Sequence, residues 1–138
     1  MPINNRTHMK QIVSFAGLEQ GKLAPTDLDG MVEYHNAGYF IFEMKHGEVP
    51  VPRGQMLCLE RLADDLSTTG KIVWCCIARH QHPSSEDIIA RDAVVDQVRI
   101  NGEWVPGDGN TVHIWLLRFY SAVNKLEYQQ SVENRRGK

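Results

Sequence analysis

The sequence lacks any long apolar run, and none of its hydrophobic stretches approaches the roughly eighteen residues of a membrane-spanning helix. Its first residues, MPINNRTHMKQ, contain no apolar core of the kind found in export signals. Only three cysteines are present and two of them are adjacent, so we expect no disulfide framework. These absences exclude an integral membrane protein and a disulfide-stapled secreted domain, and they favour a cytoplasmic location.

A strongly basic charge balance is also absent. The chain has 15 basic and 17 acidic residues and a formal net charge of -2. Overall charge therefore gives no indication of nucleic-acid binding, which would depend on local charge. The composition, 42% hydrophobic and 23% charged, is that of an ordinary globular domain. A length of 138 residues suits one domain, which we take to be residues 1–138.

Apolar periodicity predicts a mixed α/β domain with a hairpin at the start of its sheet. The predicted elements of the first half are a helix over 6–20, a strand over about 27–35, a turn at Asn36-Ala37-Gly38 and a strand over Tyr39–His46. Those of the second half are a helix over 53–69, a central strand over 71–79, a strand over 94–102 and a last helix capped by Asn110 or Thr111. The order is α-β-β-α-β-β-α.

Three carboxylates and a lysine lie in the predicted hairpin: Asp27, Asp29, Glu43 and Lys45. A three-residue loop over 36–38 with a left-handed Gly38 is a common hairpin connection and would place Asp29 opposite Lys45 and Met31 opposite Glu43. Because side chains alternate across a strand, all four polar groups would then project from one face. A slip of one residue would send the two pairs to opposite faces.

Two carboxylates that converge on one face repel each other, and a divalent cation removes that repulsion. A site made only of oxygen ligands suits Mg²⁺, and Mn²⁺ can substitute for Mg²⁺. A lysine beside such an ion can orient water or hold a phosphate, so the set fits metal-assisted hydrolysis of a phosphodiester. The simpler alternative is that Asp29 and Lys45 form an ordinary cross-strand ion pair and that Asp27 is solvated.

The segment from Asp29 to Glu43-Met44-Lys45, which ends an apolar strand and precedes an amphipathic helix, resembles the PD-(D/E)XK nuclease superfamily. This superfamily includes restriction endonucleases, Holliday-junction resolvases and RecB-type nuclease domains. The resemblance covers about residues 10–80, looks like that of a small phage-encoded member, and leaves 81–138 as a C-terminal extension packing on the core. It implies a restriction-endonuclease-like mixed sheet with an α-β-β-α-β core and a Mg²⁺-dependent endonuclease acting on DNA. The location would be the host cytoplasm if a phage encodes the protein.

By this resemblance, each site residue receives an expected role. Asp29, Glu43 and the Met44 carbonyl would bind the metal, Asp27 would be a further metal ligand, Lys45 would be catalytic with Asp29 and Glu43, and Glu19 and Gln55 would be accessory. Two positions depart from the pattern. Pro25 does not directly precede the acting aspartate, and Leu59 stands where RecB-like members have a tyrosine.

Nucleic-acid contacts are expected from Arg53, at the start of the helix after the motif, and from Arg79 and His80. His80 and His82 could also be read as a metal pair, although a solvated loop is the simpler interpretation. The partner implied is DNA, including branched replication or recombination intermediates, and the apolar last helix leaves a homodimer open. Two alternatives remain: an inactive phage accessory protein of the same fold that binds nucleic acid or a partner, or a host-protein binder with the acidic face as its epitope.

Overall fold

The computed structural model describes residues 12–137, and five strands form one mixed sheet there. In sequence order, which is also their order across the sheet, the strands are β1 (Gly30–Tyr34), β2 (Gly38–His46), β3 (Ile72–His80), β4 (Val94–Ile100) and β5 (Glu103–Pro106). Only β2 and β3 run parallel. Helix α1 (Arg53–Ser67) connects those two strands, a 3-10 turn (Ala90–Asp92) precedes β4, and helix α2 (Val112–Arg136) follows β5. The predicted mixed α/β class is confirmed.

The predicted first helix is wrong in the part that the structure describes. Residues 12–20 form no helix, and Ile12 and Val13 are 91% and 77% exposed. Gly17, in the middle of this stretch, has a φ angle of 83°, which interrupts helical backbone. A helix this short also needs a packing surface to be stable. The rest of the predicted helix, residues 6–11, lies outside the described residues.

The hairpin loop differs from the predicted one. It is His35–Ala37, whose first two residues have φ angles of 57° and 54°, and not 36–38 with a left-handed Gly38. Gly38 is the first residue of β2, and the reason for glycine there is space. A Cβ atom at Gly38 would lie 2.8 Å from the Phe119 ring and 2.9 Å from Val123, both on α2. Gly38 is therefore explained by close packing against α2 and not by the conformation of the turn.

The strand register is displaced by two residues from the predicted one. Met31 pairs with Ile41 instead of Glu43, and Asp29 comes just before β1 and is not opposite Lys45. Side-chain direction repeats every two residues, so a two-residue displacement preserves the faces. Asp29, Glu43 and Lys45 therefore still belong to one face of the sheet.

Helix α1 covers the face of the sheet that carries these polar residues. It begins after Pro52, and its predicted apolar stripe packs on alternate residues of β2 and β3. The buried side chains of this layer are Ile41, Leu59, Ala63, Val73, Cys75 and Ile77. This apolar layer packs around the N-terminal part of β2. The last residues of β2, which include Glu43 and Lys45, lie beyond it.

Helix α2 covers the opposite face. Thr111 caps it as predicted, because the Thr111 hydroxyl accepts a hydrogen bond from the Ile114 backbone N–H at 3.3 Å. The fully buried residues of this layer are Phe40, Cys76, Ala78, Val98, Phe119 and Val123. With helices on both faces, β3 is buried on both sides, which confirms its interpretation as a central strand.

The end of the sheet after β3 was predicted in part. Strand β4 ends in the expected Asn101-Gly102 turn, and both of these residues have positive φ angles, 51° and 80°. The following residues form β5, which the apolar pattern did not predict.

Within residues 12–137, neither helix combines the length and apolar character that crossing a bilayer would require.

Candidate functional site

Asp29 is held at the end of β2 by the sheet itself. Strand pairing between β1 and β2 ends at Gly30 and Phe42. Beyond that pair, the Asp29 side chain continues the ladder, because its Oδ2 atom accepts a hydrogen bond from the Met44 backbone N–H at 2.7 Å. The carboxylate is exposed to solvent and lies close enough to Glu43 to influence its protonation. The two predicted metal-binding acids are therefore brought together.

Glu43 is a buried carboxylate, only 2% exposed. Its Oε1 atom accepts a hydrogen bond from Gln55 Nε2 at 2.8 Å and lies 3.4 Å from Lys45 Nζ. Its Oε2 atom is buried without a hydrogen-bond partner among the described residues. Burial raises the pKa of the Glu43 carboxyl and the charge of Asp29 raises it further, whereas Lys45 and Gln55 act to lower it. Such an environment is costly for an isolated carboxylate.

Lys45 follows Glu43 by two residues on the same face of β2. Its side chain is 22% exposed, and its ammonium group lies 3.4 Å from Glu43 Oε1. Gln55 comes from the first turn of α1, which crosses this face of the sheet. Strand β2 thus supplies a buried acid and a partly exposed amine and orients a second acid, Asp29, which precedes β1, while α1 supplies an amide.

Other expected site residues lie apart from this group. Asp27 and Arg53 are exposed, and no described contact joins either to Asp29 or Glu43. Glu19 lies in irregular chain instead of a helix, and its carboxylate accepts the Gly17 backbone N–H at 2.9 Å. The Glu19 side chain therefore stabilises a local turn.

Arg79 and His80 end β3 beside the acidic group. The Arg79 guanidinium donates a hydrogen bond to the Val49 carbonyl and lies 3.6 Å from the Asp96 carboxylate, so its charge is already partnered. His80 lies on the other face, where α2 packs, and its ring centroid is 5.2 Å from that of His46. Desolvation lowers the pKa of His80, and the neighbouring histidines lower it further.

Sequence reasoning missed His46. Three imidazoles collect at this corner, since the His82 ring stacks 5.8 Å from His80 and its backbone N–H donates to His80 Nδ1 at 3.2 Å. The missed signal was that β2 and β3 are parallel and end together, which pairs His46 with His80. The tautomer of neutral His80 follows from this contact: its Nδ1 accepts, so the ring proton lies on Nε2.

A divalent cation fits beside Asp29 and Glu43 on one observation: the buried Oε2 atom of Glu43 lacks a hydrogen-bond partner in the described part of the chain. A cation beside it would satisfy that oxygen and offset the repulsion between the two carboxylates. Within residues 12–137, no set of three or more His, Cys, Asp or Glu side chains has the arrangement of a metal site. Asp29, Glu43 and the Met44 carbonyl therefore offer two carboxylates and one carbonyl, a donor set that suits Mg²⁺ with several retained waters.

No protein-family model, curated protein or solved structure matches this chain.

Proposed function

We propose that this protein is a Mg²⁺-dependent nuclease of the PD-(D/E)XK superfamily that hydrolyses phosphodiester bonds in DNA, with endonucleolytic cutting as the expected mode. One observation carries the proposal. Glu43 is buried with one oxygen that has no hydrogen-bond partner within residues 12–137, and a second carboxylate and a lysine ammonium lie beside it. An ordinary structural ion pair would satisfy both oxygens or remain at the surface.

Asp29, Glu43 and the Met44 carbonyl would hold the cation. When bound, the cation supplies positive charge next to a phosphate and makes a coordinated water more acidic. Asp29 is already oriented for this role by the Met44 N–H, and Glu43 is oriented by the Gln55 amide. Such preorganisation limits the rearrangement that metal binding requires.

Lys45 would act on substrate and water. Its three N–H donors suit a phosphate oxygen or a water molecule, neither of which requires the rigid fork of an arginine. The 3.4 Å contact with Glu43 keeps the ammonium near the acidic group, and its partial exposure leaves donors free to reach substrate. Lys45 is therefore the residue that links the metal ligands to the reacting phosphate.

Calorimetric titration with Mn²⁺ and Mg²⁺ tests the proposal together with a cleavage assay. The proteins compared are wild type, Asp29→Ala, Glu43→Gln and the matched control Asp108→Asn, an exposed acid in a loop after β5. The substrates are supercoiled, linear, single-stranded and branched DNA. Wild type and the control should bind the ion and cut at least one substrate, and the two site variants should do neither. Equal cutting by all four proteins would reject this site.

The alternative is a catalytically inactive accessory protein of the same fold that binds nucleic acid or a protein partner. It is favoured by one observation: within residues 12–137, no group of three or more His, Cys, Asp or Glu side chains could hold a metal ion. In that case the wild type would bind DNA or a partner without cutting any of the four substrates, with or without Mn²⁺. The same assay therefore separates the two functions.

A further inference from the structure

A groove of about 710 Å³ lies between the irregular segment before β1 and the first half of α1. One wall is formed by residues 22–26, and the other runs along the helix from Gly54 to Leu62. Its volume is within the range of roughly 300–1,000 Å³ that is usual for ligand sites. The groove adjoins the site formed by Asp29, Glu43 and Lys45, and Gln55 belongs to both.

The walls of the groove combine apolar surface with positive charge. Leu23, Pro25 and Leu62 contribute aliphatic surface, and Leu23 is 72% exposed. Lys22 and Arg61 line the same groove, and among the described residues no carboxylate does. The chain as a whole has a net charge of -2, so this concentration of positive charge is local. Apolar walls with cations at their rim suit an anionic ligand that also presents apolar faces.

Gln55 connects the groove to the acidic group. It lines the groove, and its Nε2 atom donates to Glu43 Oε1 at 2.8 Å. A polymer lying in the groove would therefore continue directly to Glu43 and Lys45. Because the groove continues to Glu43 and Lys45, it suits a linear polyanion better than a small free anion.

We propose that this groove binds an unstacked, single-stranded segment of DNA next to the scissile phosphate. The inference rests on the proposed nuclease function, and it names the substrate class as DNA with a single-stranded or splayed end. A duplex presents mainly phosphates and sugars to a surface and keeps the faces of its bases stacked. Only unstacked bases can place those faces against Leu23, Pro25 and Leu62, while Lys22 and Arg61 neutralise the phosphates.

The wild-type chain carries its own probe of the groove. Cys58 is an exposed free thiol on the groove wall, whereas Cys75 and Cys76 are completely buried. Burial raises the pKa of Cys75 to about 12, which makes that thiol unreactive at neutral pH. A maleimide will therefore report on Cys58 in the folded protein.

The experiment measures the rate at which Cys58 reacts with a maleimide in EDTA, where no cleavage occurs. Probes are a single-stranded oligonucleotide, the same sequence as a blunt duplex, and a duplex with a splayed end. At a single-strand concentration ten times its Kd, the rate should fall about tenfold, because only about one tenth of the protein stays free. The splayed duplex should protect the thiol and the blunt duplex should not.

A charge variant provides a second, independent readout. Arg61→Ala should weaken binding of the single strand and reduce the slope of log affinity against log salt by about one. The matched control is Arg91→Ala, an exposed arginine in the 3-10 turn that precedes β4. Thermal melts of both variants should match the wild type, since both side chains are exposed.

Several outcomes overturn the inference. These are equal protection by blunt and single-stranded DNA, no protection by any oligonucleotide, or equal effects of the two arginine variants. A Cys58 thiol that is unreactive without DNA would mean that a protein segment already fills the groove.

If DNA is cut normally but Cys58 is unprotected, the groove proposal fails and the nuclease proposal stands. If Cys58 is protected by single strands but nothing is cut, the groove stands and the nuclease fails.

Discussion

Asp29 accepts the Met44 backbone N–H at 2.7 Å, one step beyond the last strand pair of β1 and β2. The side chain thereby takes the place of a backbone partner in the ladder. Its position follows from the strand register that the His35–Ala37 loop sets. The two-residue error in the predicted register left Asp29, Glu43 and Lys45 on one face because side-chain direction repeats every two residues.

The first prediction separates the charge of Asp29 from its hydrogen bond. Asp29→Asn keeps an acceptor for Met44, so its stability should equal that of the wild type, while calorimetry should show that Mn²⁺ binding is lost. Asp29→Ala should lose the metal and also about 0.5–1.5 kcal/mol of unfolding free energy in denaturant titrations. Retained Mn²⁺ binding in Asp29→Asn would remove this carboxylate from the metal site.

The second prediction concerns the amide that orients Glu43. Gln55→Leu removes the 2.8 Å hydrogen bond to Oε1 and one influence that lowers the pKa of Glu43. Metal affinity and the cleavage rate should each fall about 10- to 100-fold, as is usual when the partner of a metal ligand is removed. Gln130→Leu, at an exposed position on α2, is the control and should change neither quantity. Equal results for the two variants would make Gln55 a surface residue without a positioning role.

The third prediction assigns Lys45 to the chemical step. Lys45→Met should lower kcat by about 10²- to 10⁴-fold, the usual contribution of a positioned proton donor or acceptor. Mn²⁺ affinity should stay the same or rise, because a positive charge next to the ion is removed. The control is Lys71→Met. The Lys71 ammonium group donates a hydrogen bond of 2.7 Å to Asn36, outside the site formed by Asp29, Glu43 and Lys45. The assignment would be contradicted if Lys45→Met lost Mn²⁺ binding while the metal-bound fraction of the protein still cleaved DNA at the wild-type rate.

Much of the fold could be predicted where an apolar pattern coincides with a partner surface. The run KIVWCCIAR predicted β3 because both faces of that strand are covered, and the spacing of Trp115 and Phe119 predicted α2 because the sheet lies under them. Residues 12–20 show similar spacing, yet they form no helix and expose Ile12 and Val13. Spacing identifies an apolar face but does not reveal whether the fold supplies a surface to cover it.

The site was predictable to the extent that it follows strand alternation. The period of two, combined with a predicted hairpin register that was displaced by an even number of residues, placed Asp29, Glu43 and Lys45 on one face. The contact between Gln55 and Glu43 depends on where α1 crosses the sheet, which no local pattern encodes. The neighbourhood of His46 and His80 likewise depends on the parallel register of β2 and β3.

The fourth prediction tests the close approach of Gly38 to α2. Gly38→Ala places a Cβ atom 2.8 Å from the Phe119 ring and from the Ile72 carbonyl, so the mutation should lower the unfolding free energy by about 1–3 kcal/mol. The matched control is Gly54→Ala on α1, where a Cβ would meet nothing within 4 Å. Alanine there should raise stability by about 0.5–1 kcal/mol through helix propensity. Denaturant titration measures both, and equal shifts would contradict the packing argument.

The fifth prediction concerns an ion pair that joins α1 to β4. Arg99 donates to both oxygens of Asp64, at 3.1 Å and 2.7 Å, and these hydrogen bonds hold the pKa of Asp64 below its ordinary value. The unfolded state therefore binds the proton more readily than the folded state does. The pair stabilises the fold above the unfolded pKa of about 3.9, and this contribution is lost as pH falls through the lower folded pKa.

Asp64→Asn should consequently be less stable than the wild type at pH 7, and the two curves should converge as the pH falls below about 4. Urea titrations between pH 3 and pH 7, run in EDTA, measure the difference directly. The control is Asp65→Asn at the neighbouring exposed position, which should cost less stability at pH 7 than Asp64→Asn does. A constant gap between Asp64→Asn and the wild type across this range would mean that packing of the side chain, and not its charge, connects α1 to β4.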